Sequence, residues 1–239
     1  MIMASEGPAD NTVAATLDIF LKTPRLNGWI FDRLKPWLGQ RVAEVGSGLG
    51  TITELMLDRE HVLATELEDA FLDRLRERFA GHANVAVDKL DLEDVPVDKL
   101  REHRLDSIVC VNVLEHVKDD RGALDRLRQS VVPGGRLLLY VPALSWLYGS
   151  LDRGLLHHRR YSRAALEEAL AATGWRIQHL SWMNVMGIPG WFLNSRVLRR
   201  KLLPVKQVSL YDKLTPIFRL EERLKPPIGM SLVVAAERS

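Results

Sequence analysis

The chain has 239 residues, a length that suits one globular α/β domain with an elaboration. Its 33 basic and 31 acidic residues leave a formal net charge of +2, which gives no reason to expect nucleic-acid binding. The single cysteine, Cys110, excludes an intrachain disulfide, and the lack of a signal-peptide-like or membrane-spanning apolar run predicts a cytoplasmic protein.

Short strand-like runs alternate with helical patterns along most of the chain, which predicts βαβ units on a parallel sheet. After a frayed start through Thr12, helices are predicted over Val13–Leu21 and Asn27–Leu38. The predicted strands are Arg41–Val45, Val62–Glu66, Val85–Lys89, Ser107–Asn112, Gly135–Val141, Trp175–Ser181 and Ser231–Glu237. The helices between them are Thr51–Asp58, Ala70–Phe79, Arg121–Val131 and Ser162–Thr173, the last with Ser162 as its N-cap.

An insertion over residues 182–230 separates the last two strands, where a minimal version of the fold has a tight connection. Loops at strand ends carry specificity in such folds, so we expect a helical cap here, with helices over Pro189–Leu203 and Leu210–Leu224. Its first part is apolar around Trp191 and then basic. That composition fits a packed cap, a cover for a hydrophobic acceptor, a peripheral membrane contact through 182–206, or a homodimer interface.

A glycine-rich turn follows the first predicted strand. Glu44 stands two places before the first of three alternating glycines, and the turn residues are Gly46, Ser47, Gly48 and Gly50. Glycine allows positive φ and a close approach of a ligand to the backbone, so this turn predicts a nucleotide-sized binding site. The dinucleotide fingerprint requires a glycine where Thr51 stands. The pattern Glu-x-Gly-x-Gly-x-Gly instead resembles motif I of the class I S-adenosylmethionine-dependent methyltransferases.

Two further acidic positions fit the same cofactor. Glu66 ends the second strand about twenty residues after the turn, where a carboxylate can accept hydrogen bonds from both ribose hydroxyls, with Leu67 beside it. Glu68 is the alternative if the register slips, and a helix-start acid is the structural explanation for either. After the third strand, Asp91 could accept from the adenine amino group while Leu92 donates its backbone amide; a solvated acidic loop is the alternative.

The end of the fourth strand carries the second family-like segment. Asn112-Val113-Leu114-Glu115-His116 resembles the "VLEH" segment of the same methyltransferases, with Leu105 replacing an upstream aromatic residue. The resemblance implies that Asn112 and Val113 line the mouth of the cofactor crevice. His116 either helps to orient this loop together with Glu115 or takes part in the chemistry.

The resemblance runs in the correct order from Arg41 to Leu180, with Ser231–Glu237 as the last strand. It implies a Rossmann-like seven-stranded sheet of order 3-2-1-4-5-7-6 with an antiparallel last strand, and S-adenosylmethionine as cofactor. The expected organisation is N-terminal helices over 1–40 that cover the cofactor, a core of 41–181 with 231–239, and the cap of 182–230.

The expected activity is methyl transfer by in-line displacement in a bacterial small-molecule subset of this family. The acceptor is expected to be a small molecule or lipid-like compound, methylated first of all on a hydroxyl or carboxylate oxygen and otherwise on nitrogen or carbon. A non-catalytic cofactor-binding partner protein and a nicotinamide dehydrogenase are the rival functions.

A dense polar segment, Asp152 to Tyr161, is similar to a "D…GHxRRYS" segment of the bacterial subset, with Leu156 in place of its glycine. His157 could remove a proton from the acceptor, whereas Arg159 or Arg160 could hold an acceptor carboxylate or phosphate. Tyr161 and Trp191 complete the expected acceptor contacts, and a salt-bridged loop is the alternative. No metal site is expected, because the adjacent histidines 157 and 158 point apart and no cysteine or acidic partner completes a set.

Overall fold

A seven-stranded sheet forms the centre of the protein, for which a computed structural model describes the chain from Pro8 to Ser239. The strands are β1 (Arg41–Val45), β2 (His61–Glu66), β3 (Val85–Lys89), β4 (Ser107–Val111), β5 (Arg136–Pro142), β6 (Trp175–Met183) and β7 (Ser231–Arg238). Their order is β3-β2-β1-β4-β5-β7-β6, which confirms the expected topology. β7 runs antiparallel to β5 and β6, and the other neighbouring strands are parallel, as predicted.

Helices lie before the sheet, between its strands and in the insertion. They are α1 (Pro8–Leu21), α2 (Pro24–Leu34), α3 (Asp69–Phe79), α4 (Val97–Glu102), α5 (Asp120–Ser130), α6 (Ser150–Gly154), α7 (Arg163–Ala172), α8 (Gly187–Phe192), α9 (Val205–Phe218) and α10 (Glu221–Leu224). Within the described residues, none of them combines the length and the apolar character needed to cross a lipid bilayer.

The sheet is covered on both faces by apolar side chains. Ile108 and Leu139 belong to one layer, which α5 and α7 complete, whereas Val109 and Leu138 belong to the other, which α2 completes. Successive residues of a strand face opposite sides, so both layers draw on the same strands. This double coverage explains why β4 and β5 read as continuous apolar runs rather than as alternating ones. Cys110 is fully buried, as its neighbours predict.

The insertion between β6 and β7 is docked on the N-terminal part of the chain. The Leu26 amide donates to Asp212 Oδ1 at 2.9 Å, and the Trp29 indole N–H donates to Glu222 Oε1 at 2.6 Å. A third apolar cluster joins α6 to α8, and its buried members are Leu147, Leu151 and Trp191. These contacts hold the insertion over the carboxyl ends of β4 and β5.

Two helical predictions near the glycine turn need correction. The helix expected over residues 51–58 is absent, and the segment forms turns with one 3₁₀ turn at Thr53–Met56. The Thr53 side chain is buried and donates its hydroxyl to Glu44, and the Thr53 backbone also hydrogen-bonds to this carboxylate, which withdraws it from regular helical pairing. The helix expected over Asn27–Leu38 begins at Pro24 and gives way to a 3₁₀ turn at Lys35–Trp37, around Pro36.

The ends of the predicted segments also differ. The part of the expected frayed start that is described, from Pro8, is helical, and residues 1–7 lie outside the described residues. In the insertion, α8 passes into a π-helical turn at Leu193–Val197, so the helix expected over Pro189–Leu203 is shorter. The next helix begins earlier than expected, at Val205, and is divided into α9 and α10.

Candidate cofactor and acceptor site

The glycine turn after β1 is held between the ends of β2 and β4. Gly46 and Gly48 have φ of 69° and 54°, which side chains rarely adopt. A Cβ on Gly46 would lie 2.4 Å from Cγ2 of Val113, so the loop after β4 packs directly against the turn. The Ser47 amide donates to the Thr65 carbonyl at 2.8 Å. The backbone of the turn is therefore fixed by packing and pairing with both neighbouring strands.

Glu44 lies at the bottom of this turn and is buried. Burial raises the pKa of its carboxyl to about 7, although the hydroxyls of Thr53 and Ser47 hydrogen-bond to it and lower that pKa. A buried carboxylate of this kind is stabilised by a cation more than by any neutral ligand. The site is therefore suited to a positively charged group placed beside the glycines.

A cavity of about 310 Å³ runs along the carboxyl ends of the strands and brings distant segments together. The predicted cofactor residues on its wall are Glu44, Gly46, Ser47, Gly48 and Asn112. The predicted acceptor-side residues on the same wall are His116, His157, Arg160 and Trp191. Helix α1 contributes Thr16, Leu17, Ile19 and Phe20, and the insertion contributes Asn184, Gln207, Val208 and Tyr211 among others.

The remaining predicted cofactor residues do not line this cavity within the described part of the chain; they are Gly50, Glu66, Leu67, Asp91, Leu92 and Val113. Glu66 stands at the end of β2, and its two carboxylate oxygens accept the backbone N–H groups of Gly48 and Leu67, each at 2.8 Å. Asp91 accepts the amide of Glu93 at 2.8 Å and caps a 3₁₀ turn. The ribose and adenine contacts of these residues stay predictions.

Asp152 is the centre of a buried polar network on the acceptor side. Arg160 Nε donates to Asp152 Oδ1 at 2.6 Å, and the Gly149 amide and the Trp191 indole donate to Oδ2 at 2.9 and 3.3 Å. The Arg160 guanidinium also lies 4.5 Å from the centre of a Trp191 ring. Burial opposes ionisation of Asp152, but the hydrogen bond from His157 and the charge of Arg160 outweigh it and lower its pKa.

The same network fixes the protonation pattern of His157. Its Nδ1 lies 3.2 Å from Asp152 Oδ1, and an ionised carboxylate can only accept, so Nδ1 carries the proton. Nε2 then offers a lone pair, and the ring lies on the cavity wall. His157 therefore belongs to the salt-bridged loop and also lies on the cavity wall, and its contact with an acceptor stays a prediction.

Glu115 and His116 pack against His157 from the loop after β4. The rings of His116 and His157 meet edge to face, with centroids 4.7 Å apart. Burial, with a smaller effect of His157, lowers the pKa of His116 to about 3, so its imidazole is neutral at physiological pH. Burial raises the pKa of Glu115 to about 8. Neither Glu115 oxygen accepts a hydrogen bond from another residue in the described part of the chain.

Two predicted acceptor contacts point elsewhere. Arg159 Nη1 lies 2.7 Å from Asp120 Oδ2, and the Tyr161 hydroxyl donates to the same oxygen at 2.8 Å. Neither residue is among the described residues that line the cavity. Both instead link the segment after β5 to the start of α5. His158 lies in this same segment and is exposed.

Among the polar cavity residues that sequence reasoning missed are one from β5 and one from the insertion. Tyr140 and Asn184 line the cavity, and the Tyr211 hydroxyl donates to Asn184 Oδ1. Asn184 has φ of 69°, a conformation that asparagine tolerates. Its position at the end of a strand is the one signal that could have marked it, because nothing local in the sequence shows that Tyr211 returns to it.

The sheet topology and the glycine turn are those that the resemblance to class I S-adenosylmethionine-dependent methyltransferases implies. Residues 43–137 match the family model described as a methyltransferase domain. This confirms the family resemblance, the enzyme class and S-adenosylmethionine as the cofactor expected from the sequence.

The similarity to curated proteins extends over about half of the chain. The chain is 29% identical over 143 residues to the probable polyketide synthase 42 of Dictyostelium discoideum, a match that covers 50% of this chain and 5% of that protein. It is 24% identical to the ubiquinone biosynthesis O-methyltransferase of Idiomarina loihiensis, covering 56% of this chain and 60% of that protein. The chain thus spans less than two thirds of either relative.

A solved structure shows the same fold over more of the chain. The S-adenosylmethionine-dependent methyltransferase from Mesorhizobium loti has a TM-score of 0.59 and 18% identity, and the match covers 87% of this chain and 95% of that one. At this identity the likeness concerns the fold.

The residues present fit S-adenosylmethionine, a cation with an ammonium and a sulfonium. Glu44 supplies a buried carboxylate on the cavity wall, and Gly46 and Gly48, which have positive φ and no side chain, line the same cavity with their backbone. The turn leads into a 3₁₀ turn, whereas a pyrophosphate would favour the N-terminus of a regular helix. The donor set therefore suits a cationic cofactor better than a dinucleotide.

Proposed function

We propose that the protein transfers the methyl group of S-adenosylmethionine to an oxygen, hydroxyl or carboxylate, of a small-molecule or lipid-like acceptor. One observation carries this proposal: a single cavity joins the Glu44–glycine turn to the His157 imidazole and to apolar side chains of the insertion. Methylation of nitrogen or carbon is the alternative within the same enzyme class.

The chain's own residues would bind and align the reactants. S-adenosylmethionine, when bound, supplies an activated methyl group on a sulfonium. Glu44 would neutralise the cofactor's ammonium, and the glycine turn would let the backbone approach it. The opposite wall would fix the acceptor, and alignment of this kind can supply roughly 7–11 kcal/mol of the barrier.

His157 is our candidate for the group that takes the acceptor's proton. Its Nε2 is free to accept, and Asp152 would stabilise the imidazolium that forms, because the Asp152 carboxylate bonds to Nδ1. His116 is the second candidate, but a neutral imidazole with a pKa of about 3 is a weak base. A carboxylate acceptor would need no base, and there His157 would only position the substrate.

The acceptor side of the cavity is largely apolar, which supports a hydrophobic acceptor. Its apolar members are Leu151, Leu155, Met186, Trp191, Leu202, Leu203, Val208 and Met230. The relative from Idiomarina loihiensis is named an O-methyltransferase of ubiquinone biosynthesis, which favours oxygen as the accepting atom. We therefore assign Trp191 to the acceptor wall, and Arg160, predicted to hold an acceptor carboxylate or phosphate, to the support of Asp152 instead.

We further propose that three parts of the chain have the separate roles expected from the sequence. Residues 1–40 would cover the cofactor, 41–181 with 231–239 would form the core, and 182–230 would form the acceptor cap. Contacts of α1 support the first part, because a Cβ on Gly48 would lie 3.1 Å from Leu17 Cδ2. Trp191 and Tyr211 on the cavity wall support the last part.

Calorimetry and product analysis test the proposal in two steps. Titration with S-adenosylmethionine, S-adenosylhomocysteine and a nicotinamide dinucleotide should show binding of the first two only. Mass spectrometry with hydroxy-, carboxy- and lipid-type acceptors should then find a product heavier by one methylene. Cofactor binding with no transfer to any acceptor would favour the non-catalytic partner protein instead.

The His157 assignment has a matched control in its neighbour. His157→Ala should lower kcat at least 100-fold, with cofactor affinity changed less than threefold, because general-base catalysis contributes typically 10²–10⁴-fold. His158→Ala should behave as the unsubstituted protein, since that side chain is exposed. Full activity of His157→Ala would reject the base role.

A second candidate function for the insertion is reversible contact with an anionic membrane that supplies the lipid-like acceptor. Apolar side chains after α8 are exposed, among them Phe192 at 43% and Leu198 at 47%. Cations lie in the same stretch, at Arg196 and Arg199. Apolar insertion combined with cationic attraction is the combination that binds membrane interfaces.

Co-sedimentation with vesicles tests this contact. Vesicles containing phosphatidylglycerol should retain the protein, and vesicles of phosphatidylcholine alone should not. Phe192→Ser with Leu198→Ser should abolish retention. If light scattering instead shows a homodimer that the same substitutions dissociate, this surface is a dimer interface.

A further inference from the structure

The proposed methyl transfer gives no role to the buried carboxylate of Glu115. Its side chain is fully buried, yet neither carboxylate oxygen accepts a hydrogen bond from another residue in the described chain. A buried polar group left without a partner destabilises the fold, and more so if it is charged. An unpartnered buried group of this kind indicates that a ligand, an ion or a water molecule supplies the missing partner.

Two imidazoles stand beside this carboxylate. Glu115, His116 and His157 each offer one ligand atom, and these atoms lie within 4.8 Å of one another. His157 Nε2 is 3.9 Å from Glu115 Oε1, too far for a hydrogen bond between them. Two ligands bound at about 2.1 Å around one tetrahedral ion are roughly 3.4 Å apart, so small side-chain shifts would close the set.

Asp152 accepts a hydrogen bond from Nδ1 of His157, and metal-binding histidines commonly bond to a carboxylate in this way. This leaves Nε2 of His157 as the ligand atom directed towards Glu115. Asp152 is itself held by Arg160 and by the Gly149 amide. A carboxylate on the far nitrogen fixes the tautomer and orientation of a ligating imidazole and raises its basicity.

We propose that Glu115, His116 and His157 form a binding site for a divalent first-row transition-metal ion such as Zn²⁺, Fe²⁺ or Co²⁺. Two imidazoles and one carboxylate leave open coordination positions, and these ions suit such a set. The sequence prediction of no metal rested on the adjacent histidines 157 and 158. The fold supplies different partners, from the loop after β4.

The position of the site suggests what the ion would do. His116 and His157 line the cavity, so an open coordination position faces the space assigned to the acceptor. With the ion bound, His157 Nε2 would be a ligand and no longer the proton acceptor; a hydroxyl oxygen bound to the ion would become more acidic and would lose its proton to solvent while the oxygen stays on the ion. This role rests on the proposed function, whereas the binding site does not.

Metal binding is measured on tag-free full-length protein that has been treated with a chelator and then titrated with Co²⁺. Visible absorption bands of bound Co²⁺ at a stoichiometry of one should appear, and mass spectrometry of Zn²⁺-loaded protein should give one ion per chain. Glu115→Gln and His157→Ala should each weaken Co²⁺ binding more than 100-fold. Asp152→Asn should weaken it about 10–100-fold through its effect on His157.

His158→Ala is the matched control, because this exposed histidine directly follows His157 and should leave the Co²⁺ affinity and spectrum unchanged. Circular dichroism confirms that each variant is folded. Absence of Co²⁺ and Zn²⁺ binding at 100 µM, or binding that Glu115→Gln leaves intact, would overturn the site. The titration contains neither cofactor nor acceptor, so failure to detect methyl transfer would count against the proposed function and leave the metal site standing.

Discussion

Replacing Glu44 with glutamine should make the cofactor-free protein more stable at alkaline pH. The pKa of this carboxyl rises from 4.5 to about 7 because of burial. Below pH 4.5 the group is protonated in both the folded and unfolded states and costs nothing. Above that value the unfolded chain releases the proton more readily, so the free energy of unfolding falls as pH rises towards 7 and is then constant.

The magnitude follows from the two pKa values. At 1.36 kcal/mol per pKa unit, the full penalty is about 3 kcal/mol above pH 7, of which most develops between pH 5 and pH 8. Glutamine is uncharged throughout and can still accept the Thr53 hydroxyl. Relative to the unsubstituted protein, Glu44→Gln should therefore gain about 2–3 kcal/mol between these two pH values.

Urea unfolding of both proteins at pH 5, 6, 7 and 8 measures this difference. Glu77→Gln is the control, because Glu77 is exposed on α3 and its removal should shift the curves equally at each pH. Parallel pH profiles for the unsubstituted protein and Glu44→Gln would refute the argument. In the same variant, affinity for S-adenosylmethionine should fall about 10–100-fold, since a hydrogen bond to a charged group is worth about 1.5–3 kcal/mol.

Substitutions at three further positions test the glycine turn, the Asp152 network and the N-cap of α7. Gly46→Val should abolish cofactor binding in calorimetry, because its Cβ would meet Val113 at 2.4 Å; retained affinity would disprove the site. Asp152→Ala should lower the free energy of unfolding by about 3–5 kcal/mol, since it leaves Arg160 buried without its partner; a loss below 1 kcal/mol in urea would contradict this. Ser162→Ala removes the N-cap of α7 and should cost about 1 kcal/mol, whereas Ser162→Asp should cost less.

The strands could be predicted from sequence because short apolar runs bounded by turn residues are a local signal. Apolar runs and punctuating turns place β1 and β3 at their observed ends, and the other strands within two residues. The helix expected over residues 51–58 failed for a reason that is not local. Its Thr53 bonds to Glu44, nine positions earlier, and a periodicity argument sees only neighbouring residues.

In the candidate site, too, some features could be predicted from the sequence and others could not. The glycine turn could be predicted because the positive φ of these positions favours glycine. Asn112 could be predicted from its place at the end of β4. The pairing of His157 with Asp152 could also be predicted from the sequence, because the two residues are five positions apart in one segment. Contacts between segments, such as Tyr211 with Asn184, depend on how the insertion docks, and no pattern in the sequence encodes that.

The two buried acids of the site differ in a way that bears on function. Glu44 has hydroxyl partners and faces the cavity beside the glycines, so a cationic cofactor can complete it. Glu115 has no partner from another described residue and faces two imidazoles, so a metal ion can complete it. The raised pKa of Glu44 and the missing hydrogen-bond partners of Glu115 both mean that the folded chain holds these side chains at an energetic cost when nothing positive is bound. Each cation should therefore stabilise the fold by relieving its own carboxylate, and the two effects should add if the sites are independent.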